Sequence, residues 1–270
     1  EALAWNRFDP PDDEIEASRR RIRRFGPDPL VSALAYLGTV WGFQGAPLAA
    51  EHPLDQALGL ARATQHPATL ALAVTYRAAL HALRAEPAAV LEWAGELLEL
   101  ASEHELQIYI GFAHVLLGWT EAWQGSGDRL TGAVQMLDRL RHGVGGLEGT
   151  VRAHLAEGLY LIGGWEEGLK QAEAGLEAAK RLEEHRPLPE LYRLKGDCLA
   201  LREPAIVEPA MEQIGMACEH ARQQGSTLLA LRAAVRLGEL YLRQGEVGEA
   251  HRVVAEQWRA VPEDTALPDW

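Results

Sequence analysis

The chain has 270 residues, 47% hydrophobic and 24% charged, which is enough apolar material to bury a core. Alanine, leucine, glutamate and arginine dominate and β-branched residues are sparse, so the composition favours helix throughout and an all-α fold. A formal net charge of −13 repels phosphate backbones and argues against direct nucleic-acid binding by this segment, and no apolar run approaches the ~20 residues of a membrane span.

In chain order, the periodicity first predicts a leading helix near 12–24. Asp12, Asp13, Glu14 and Glu16 open it and RRRIRR (19–24) closes it. That order suits the helix dipole, and Glu16 and Arg20 form an i, i+4 pair. The arginines therefore read as a solvated helix rather than a docking arm. Six pairs of helices follow. Their first members are predicted at 29–43, 68–84, 106–124, 147–163, 187–202 and 226–244. Their second members are predicted at 52–65, 87–103, 128–141, 165–183, 206–224 and 246–259. Ala46–Pro53 (APLAAEHP) reads as an enlarged first turn, and Pro87 suits a first helical position. The tail from 260 to 270 holds two prolines and is predicted to fray. The regions are thus a leading helix and lead-in over 1–27, a repeat region over 28–259, and the tail 260–270. The first residue is Glu1 rather than Met, so a piece of a longer protein is expected.

The pairs share a pattern. In LGELYLRQGEVGEAHRVV (237–254), Leu237 and Tyr241 make an apolar ridge and Gly238 permits a close approach. Gly245 ends the first helix in a left-handed turn, and Ala250 sits at the crossing on the second. These positions follow the tetratricopeptide repeat. Leu37-Gly38, Leu117-Gly118, Leu155-Ala156 and Gly196 begin further copies, and a weaker copy lies over 68–103. The anchors Gly38, Gly118, Ala156, Gly196 and Gly238 are spaced by 80, 38, 40 and 42 residues, with the weak copy filling the first interval. No pair buries its apolar face alone, so stacking predicts one α-α superhelix, a solenoid of about six helix pairs plus the leading helix.

Several stretches extend the resemblance: FGPDPLVSALAYLGTVWGFQG, HPLDQALGLA, HPATLALAVTYRAALHALRAEP, GWTEAWQGSG, GGWEEGL, ELYRLKGD and LRAAVRLGELYLRQG. Together, over roughly 22–258, they resemble the C-terminal tetratricopeptide region of large bacterial signalling ATPases of the adenylate-cyclase-like and LuxR-type regulator class. FGPDP and ELYRLKGD are the most specific pieces. The resemblance implies a helical superhelix that senses a ligand or docks a partner, with catalysis confined to domains this chain lacks. APLAAEHP and REPAIVEPA (202–210) depart from it in their loops.

In stacked repeats of this kind the first helices line a concave groove. Counting from each anchor, the inward positions include Phe112, Trp119 and Trp123 in the third pair, and Glu157 and Tyr160 in the fourth. They include Glu190, Arg193 and Asp197 in the fifth, and Arg232, Glu239 and Arg243 in the sixth. The aromatic residues read either as packing between pairs or as binding anchors. Glu157, Asp197 and Glu239 occupy one equivalent position, with Arg193, Arg232 and Arg243 beside them. They read either as a solvated inner face or as a polar clamp for a peptide or a carboxylate-bearing ligand.

Other signals are weaker. GVGGLEG (143–149) follows a helix and lacks the spacing of a phosphate loop. Cys198 and Cys218 read as buried thiols, and no signal peptide is visible, so a cytoplasmic location is expected. Ten scattered histidines, among them His81, His142 and His154, form no HExxH or zinc spacing, and neither metal nor cofactor is expected. No nucleophile–base constellation appears, so an enzyme is not expected. The favoured reading is a non-catalytic protein-interaction or ligand-sensing module of a bacterial signalling or regulatory protein. Its partner would be a protein, a peptide or a small effector. The alternative is a self-association scaffold that forms a homodimer through its convex face or last helix, where Val253, Val254 and Trp258 lie.

Overall fold

The computed structural model describes residues 8–140 and 147–261. His142, residues 143–146 of the glycine-rich stretch and the tail beyond 261 lie outside them. Thirteen helices and no strand occur among the described residues: α1 Asp12–Phe25, α2 Pro29–Phe43, α3 Pro47–Thr64, α4 Pro67–Leu83, α5 Pro87–Glu103, α6 Gln107–Trp123, α7 Asp128–Leu140, α8 Glu148–Leu161, α9 Trp165–Arg181, α10 Leu188–Arg202, α11 Glu208–Gln223, α12 Thr227–Arg243 and α13 Val247–Trp258. The chain divides into two compact units. The first comprises residues 1–42 and 46–113, the second 43–45 and 114–270. The division falls inside α6.

Twelve of the thirteen spans agree with the spacing to within about two residues at each end, the ordinary uncertainty of helix boundaries. The exception is α3, which begins at Pro47 instead of residue 52. APLAAEHP is therefore mostly helix, not an enlarged turn. Pro47 occupies the first turn, where a missing N–H costs nothing, and Pro53 lies inside the helix, where it removes one ladder bond. In α1 the ion pair also differs from the i, i+4 expectation: Glu16 accepts from Arg19 at 2.6 Å.

The turns carry the repeat. The backbone N–H groups of Ala46, Glu86, Ser126, Gly164 and Glu246 each donate to the carbonyl five residues back, on Trp41, His81, Glu121, Leu159 and Tyr241. This is the six-to-one bond of a Schellman turn. The residue before each donor has a positive φ: Gly45, Ala85, Gly125, Gly163 and Gly245. Ala85, at φ 54°, holds the position glycine holds elsewhere, which is why the second copy is the faint one in the sequence.

FGPDP proves to be a joint. Gly26 ends α1 with a bond to the Ile22 carbonyl. Asp28, fully buried, precedes α2 and accepts from the Leu30 N–H at 2.9 Å. It also accepts from Arg21 at 2.7 and 2.9 Å and from the Ser18 hydroxyl, and its own N–H donates to Thr69 of α4 at 3.1 Å. Burial alone would raise its pKa, but the bonds from Arg21, Ser18 and Leu30 hold it below the ordinary value.

In the first unit α1 packs on α3, α3 on α4 and α4 on α5. In the second, each helix from α7 to α13 packs on a sequence neighbour, while α8 touches α10 and α10 touches α12. One buried cluster joins α10, α11 and α12 through Leu199, Ala210, Ile214, Ala217, Leu237 and Leu240. The crossing anchors vary in tightness. A Cβ at Gly196 would lie 2.5 Å from Ile214 Cγ1 and 2.8 Å from the Ala210 carbonyl oxygen. One at Gly238 would meet Val254 at 3.0 Å, with the Ala250 backbone at an ordinary 3.5 Å. The expected close backbone approach is therefore found at Gly196, and at Gly38 against Ala50, rather than at Gly238.

Candidate polar ladder across α6, α8, α10 and α12

In the second unit the first members of successive pairs are linked by one hydrogen-bonded chain. Trp119 of α6 is fully buried, and its indole N–H donates to Glu157 of α8 at 2.8 Å. The other oxygen of Glu157 accepts from Arg193 of α10 at 3.1 Å and from Arg232 of α12. Arg193 also donates to Glu190 at 2.6 Å and to Asp197 at 2.8 Å. Arg232 reaches Glu190 at 3.0 Å. Arg236 completes the chain, donating to Asp197 at 2.8 Å, to the Tyr160 hydroxyl at 2.8 Å and to Glu239.

Helical spacing explains the arrangement. Glu190, Arg193 and Asp197 lie three and four apart on α10 and share one face. Arg232, Arg236 and Glu239 do the same on α12. Four carboxylates (Glu157, Glu190, Asp197, Glu239) face three guanidinium groups, so the charges are nearly balanced within the ladder. Burial alone would lower the Arg193 pKa, yet Glu190, Glu157 and Asp197 raise it well above the ordinary value. Burial alone would raise Glu190, and Arg193 and Arg232 bring it well below.

The residues singled out from sequence have different fates. Glu157, Arg193, Asp197 and Arg232 are buried together. Their bonds run to one another, so the floor of this face is an internal lattice and not an open clamp. Tyr160 is half-buried and Glu239 exposed at its edge. Arg243 is exposed and takes no part in the ladder; Arg236, two turns earlier on α12, fills the place expected for it. Trp123 is half-buried with its ring 5.7 Å from Trp119, edge to face. Phe112, buried at 4% exposure, belongs to the first unit and packs edge-on against Tyr109 at 6.2 Å.

Position-counting missed Arg236, and it left out His154. The latter lies 6.4 Å from Trp119, ring to ring. Burial first, then Arg232 and Arg186, lower its pKa against the upward pull of Glu157 and Glu190. Its spacing of three from Glu157 was a legible signal. Cys198 and Cys218 are free thiols on α10 and α11, pushed up by burial to about 12 and about 11, so both are held protonated and poorly nucleophilic. Among the described residues no group of three His, Cys, Asp or Glu side chains could hold a metal ion, and no helix is long and apolar enough to cross a membrane.

No protein-family model matches the chain, and no curated protein matches it.

Proposed function

We propose that the chain is a non-catalytic, tetratricopeptide-like repeat module of a cytoplasmic bacterial signalling or regulatory protein. It binds a protein segment, a peptide or a small effector on the face where α6, α8, α10 and α12 meet. The observation that supports this most is the edge of the ladder. The buried ion pairs join α8, α10 and α12, the Trp119 hydrogen bond ties α6 to them, and Tyr160, Arg236 and Glu239 stand at the rim with an aromatic ring, a cation and an acid. Such a rim suits polar recognition on a rigid support.

A second reading, self-association, rests on a different surface. Val247 and Trp258 of α13 are 64% and 56% exposed, an apolar end that another copy could cover. Val253 and Val254 are half-buried and turn toward α12, so they do not contribute to it.

Native mass spectrometry of the chain, with a display library of short peptides as bait, separates the two. Added mass or peptide capture lost in an Arg236→Ala/Glu239→Ala variant, with an unchanged oligomer, is the expected result. A concentration-independent dimer abolished by Trp258→Ala would move the assignment to the scaffold. A bare monomer that captures nothing overturns both.

A further inference from the structure

Among the described helices only α2 carries no charged side chain. Its hydroxyls on Ser32 and Thr39 turn back on the backbone, donating to the Asp28 carbonyl at 3.2 Å and the Ala35 carbonyl at 3.0 Å. A helix that is apolar all round belongs in an interior. Yet only part of α2 is covered. Gly38 faces α3, where a Cβ would meet Leu54 and the Ala50 carbonyl, and Gly42 faces Leu80 of α4. The Tyr36 ring lies 5.0 Å from that of Tyr76, also on α4. On the remaining side Ala33, Leu37 and Val40 form an exposed stripe at helical spacing, bordered by Tyr36. Tyr36, Leu37 and Val40 are 49%, 40% and 46% exposed, and Phe25, at the end of α1, is 59% exposed.

The charges beside the stripe have a symmetry of their own. α1 and α2 both rest on α3, and their outer faces turn away from it. On α1, Arg21 is held by Glu14 and Asp28, and Arg19 by Glu16. Asp12 and Asp13 at its start and Arg20, Arg23 and Arg24 toward its end are exposed, with no ion pair among the described residues; Arg24 lies 5.1 Å over the Phe25 ring. Asp12 and Asp13 stand as far before Ser18 as Arg24 and Arg23 stand after it. A second α1 laid antiparallel on the first, crossing at Ser18, therefore sets each acidic start against a basic end, twice. The same twofold rotation lays α2 antiparallel on α2, with Ala33 near Val40 of the partner subunit. An isologous contact has to be self-complementary, and an uncharged stripe flanked by acids and bases in this order is. A charged partner would meet no counter-charge on α2.

We infer that this face of α1 and α2 is a docking surface for a second copy of the chain, in an antiparallel twofold dimer. The stripe supplies the apolar centre, and the α1 charges supply the rim and the register. The surface lies in the first unit, is distinct from the exposed end of α13, and is independent of the function proposed for the ladder.

Sedimentation velocity of the 270-residue chain over a dilution series tests it. A monomer–dimer equilibrium is expected. Leu37→Glu puts a charge into the stripe at an exposed position and should weaken the dimer about ten-fold or more, with an unchanged melting curve. Trp258→Ala should leave the dimer as it is. Asp12→Arg/Asp13→Arg and Arg23→Asp/Arg24→Asp should each weaken the homodimer, and their equimolar mixture should form the heterodimer in preference to either homodimer. Native mass spectrometry resolves the three species by mass. A monomer at every concentration, a dimer indifferent to Leu37→Glu, a dimer lost with Trp258→Ala, or a mixture with no preference for the heterodimer overturns the assignment.

Discussion

The indole N–H of Trp119 donates to Oε2 of Glu157 at 2.8 Å, across 38 residues of chain and between α6 and α8. Glu157 is 6% exposed, so each of its hydrogen bonds replaces lost hydration. Trp119→Phe keeps a ring but leaves that oxygen unpaired, and is expected to cost about 1–3 kcal/mol. Trp119→Ala adds a cavity and should cost about 3–5 kcal/mol. Glu157→Gln withdraws one of the charges shared by Arg193 and Arg232 and should cost about 1–3 kcal/mol, because both cations keep Glu190. Urea denaturation orders the three. A Trp119→Phe variant as stable as the wild type would show that the Glu157 bond contributes nothing.

Asp28 is the corresponding test in the first unit. Asp28→Ala removes the acceptor of Ser18, Arg21 and Leu30 at once. A lost helix cap alone costs about 1 kcal/mol, and the buried partners left behind add about 1–3 kcal/mol. Asp28→Asn retains the capping oxygen and loses only the charge, so it should fall between wild type and Asp28→Ala in thermal denaturation. Equal effects of the two would show that Arg21 is indifferent to the charge.

Helix existence was legible because apolar periodicity and glycine punctuation agree along the chain. The start of α3 was not, because Pro53 reads locally as a breaker while packing keeps it helical. The acids and arginines at inward positions were legible from anchor counting, and Glu157, Arg193, Asp197 and Arg232 do converge. What counting could not supply was orientation across helices. Arg236 and Arg243 both lie within a turn or so of Glu239, but only Arg236 reaches Asp197 and Tyr160. FGPDP stood out only as a specific piece of the resemblance, and nothing local announced that its aspartate would bind Ser18 ten residues back and Thr69 of α4.

Replacing the anchor glycines of the first helices and the glycines of the second helices should have opposite signs. Gly196→Ala places a methyl against the Ala210 carbonyl, and Gly38→Ala places one 2.9 Å from that of Ala50. Backbone cannot swing aside, so each should cost about 1–3 kcal/mol. Gly118→Ala meets the end of the Leu130 side chain at 2.9 Å and Gly238→Ala meets a Val254 methyl at 3.0 Å, side-chain rather than backbone atoms, and should cost less. Gly95, Gly132, Gly215 and Gly248 have nothing within 4 Å of a new Cβ, and alanine there should stabilise by about 0.5–1 kcal/mol each. Ala85→Gly should also stabilise, by about 1 kcal/mol, since φ 54° strains an alanine. Melting temperatures across this set check the ranking. A destabilising Gly132→Ala would contradict the open space around it.

Acid should loosen the ladder in two separate windows. Burial lowers His154 below the ordinary ~6.5, so the unfolded chain binds this proton more readily than the folded one. Its contribution is present above pH ~6.5 and is lost as the pH falls below it. His114, lowered by burial and by Arg129, acts in the same direction and window. His154→Gln should therefore flatten the stability curve between about pH 7 and 5, and a His114→Gln/His154→Gln variant should flatten it further. Glu190 titrates lower: the folded pKa of about 2 lies below the unfolded ~4.3, so its stabilisation is complete above pH ~4.5 and disappears as the pH drops toward 2. Glu190→Gln should be destabilised most at pH 7, by about 3 kcal/mol, and should converge on the wild type near pH 2. Chemical denaturation in steps from pH 8 to 2 reads both windows. A Glu190→Gln deficit that stays constant across that range would mean that Arg193 and Arg232 do not hold the Glu190 charge in place.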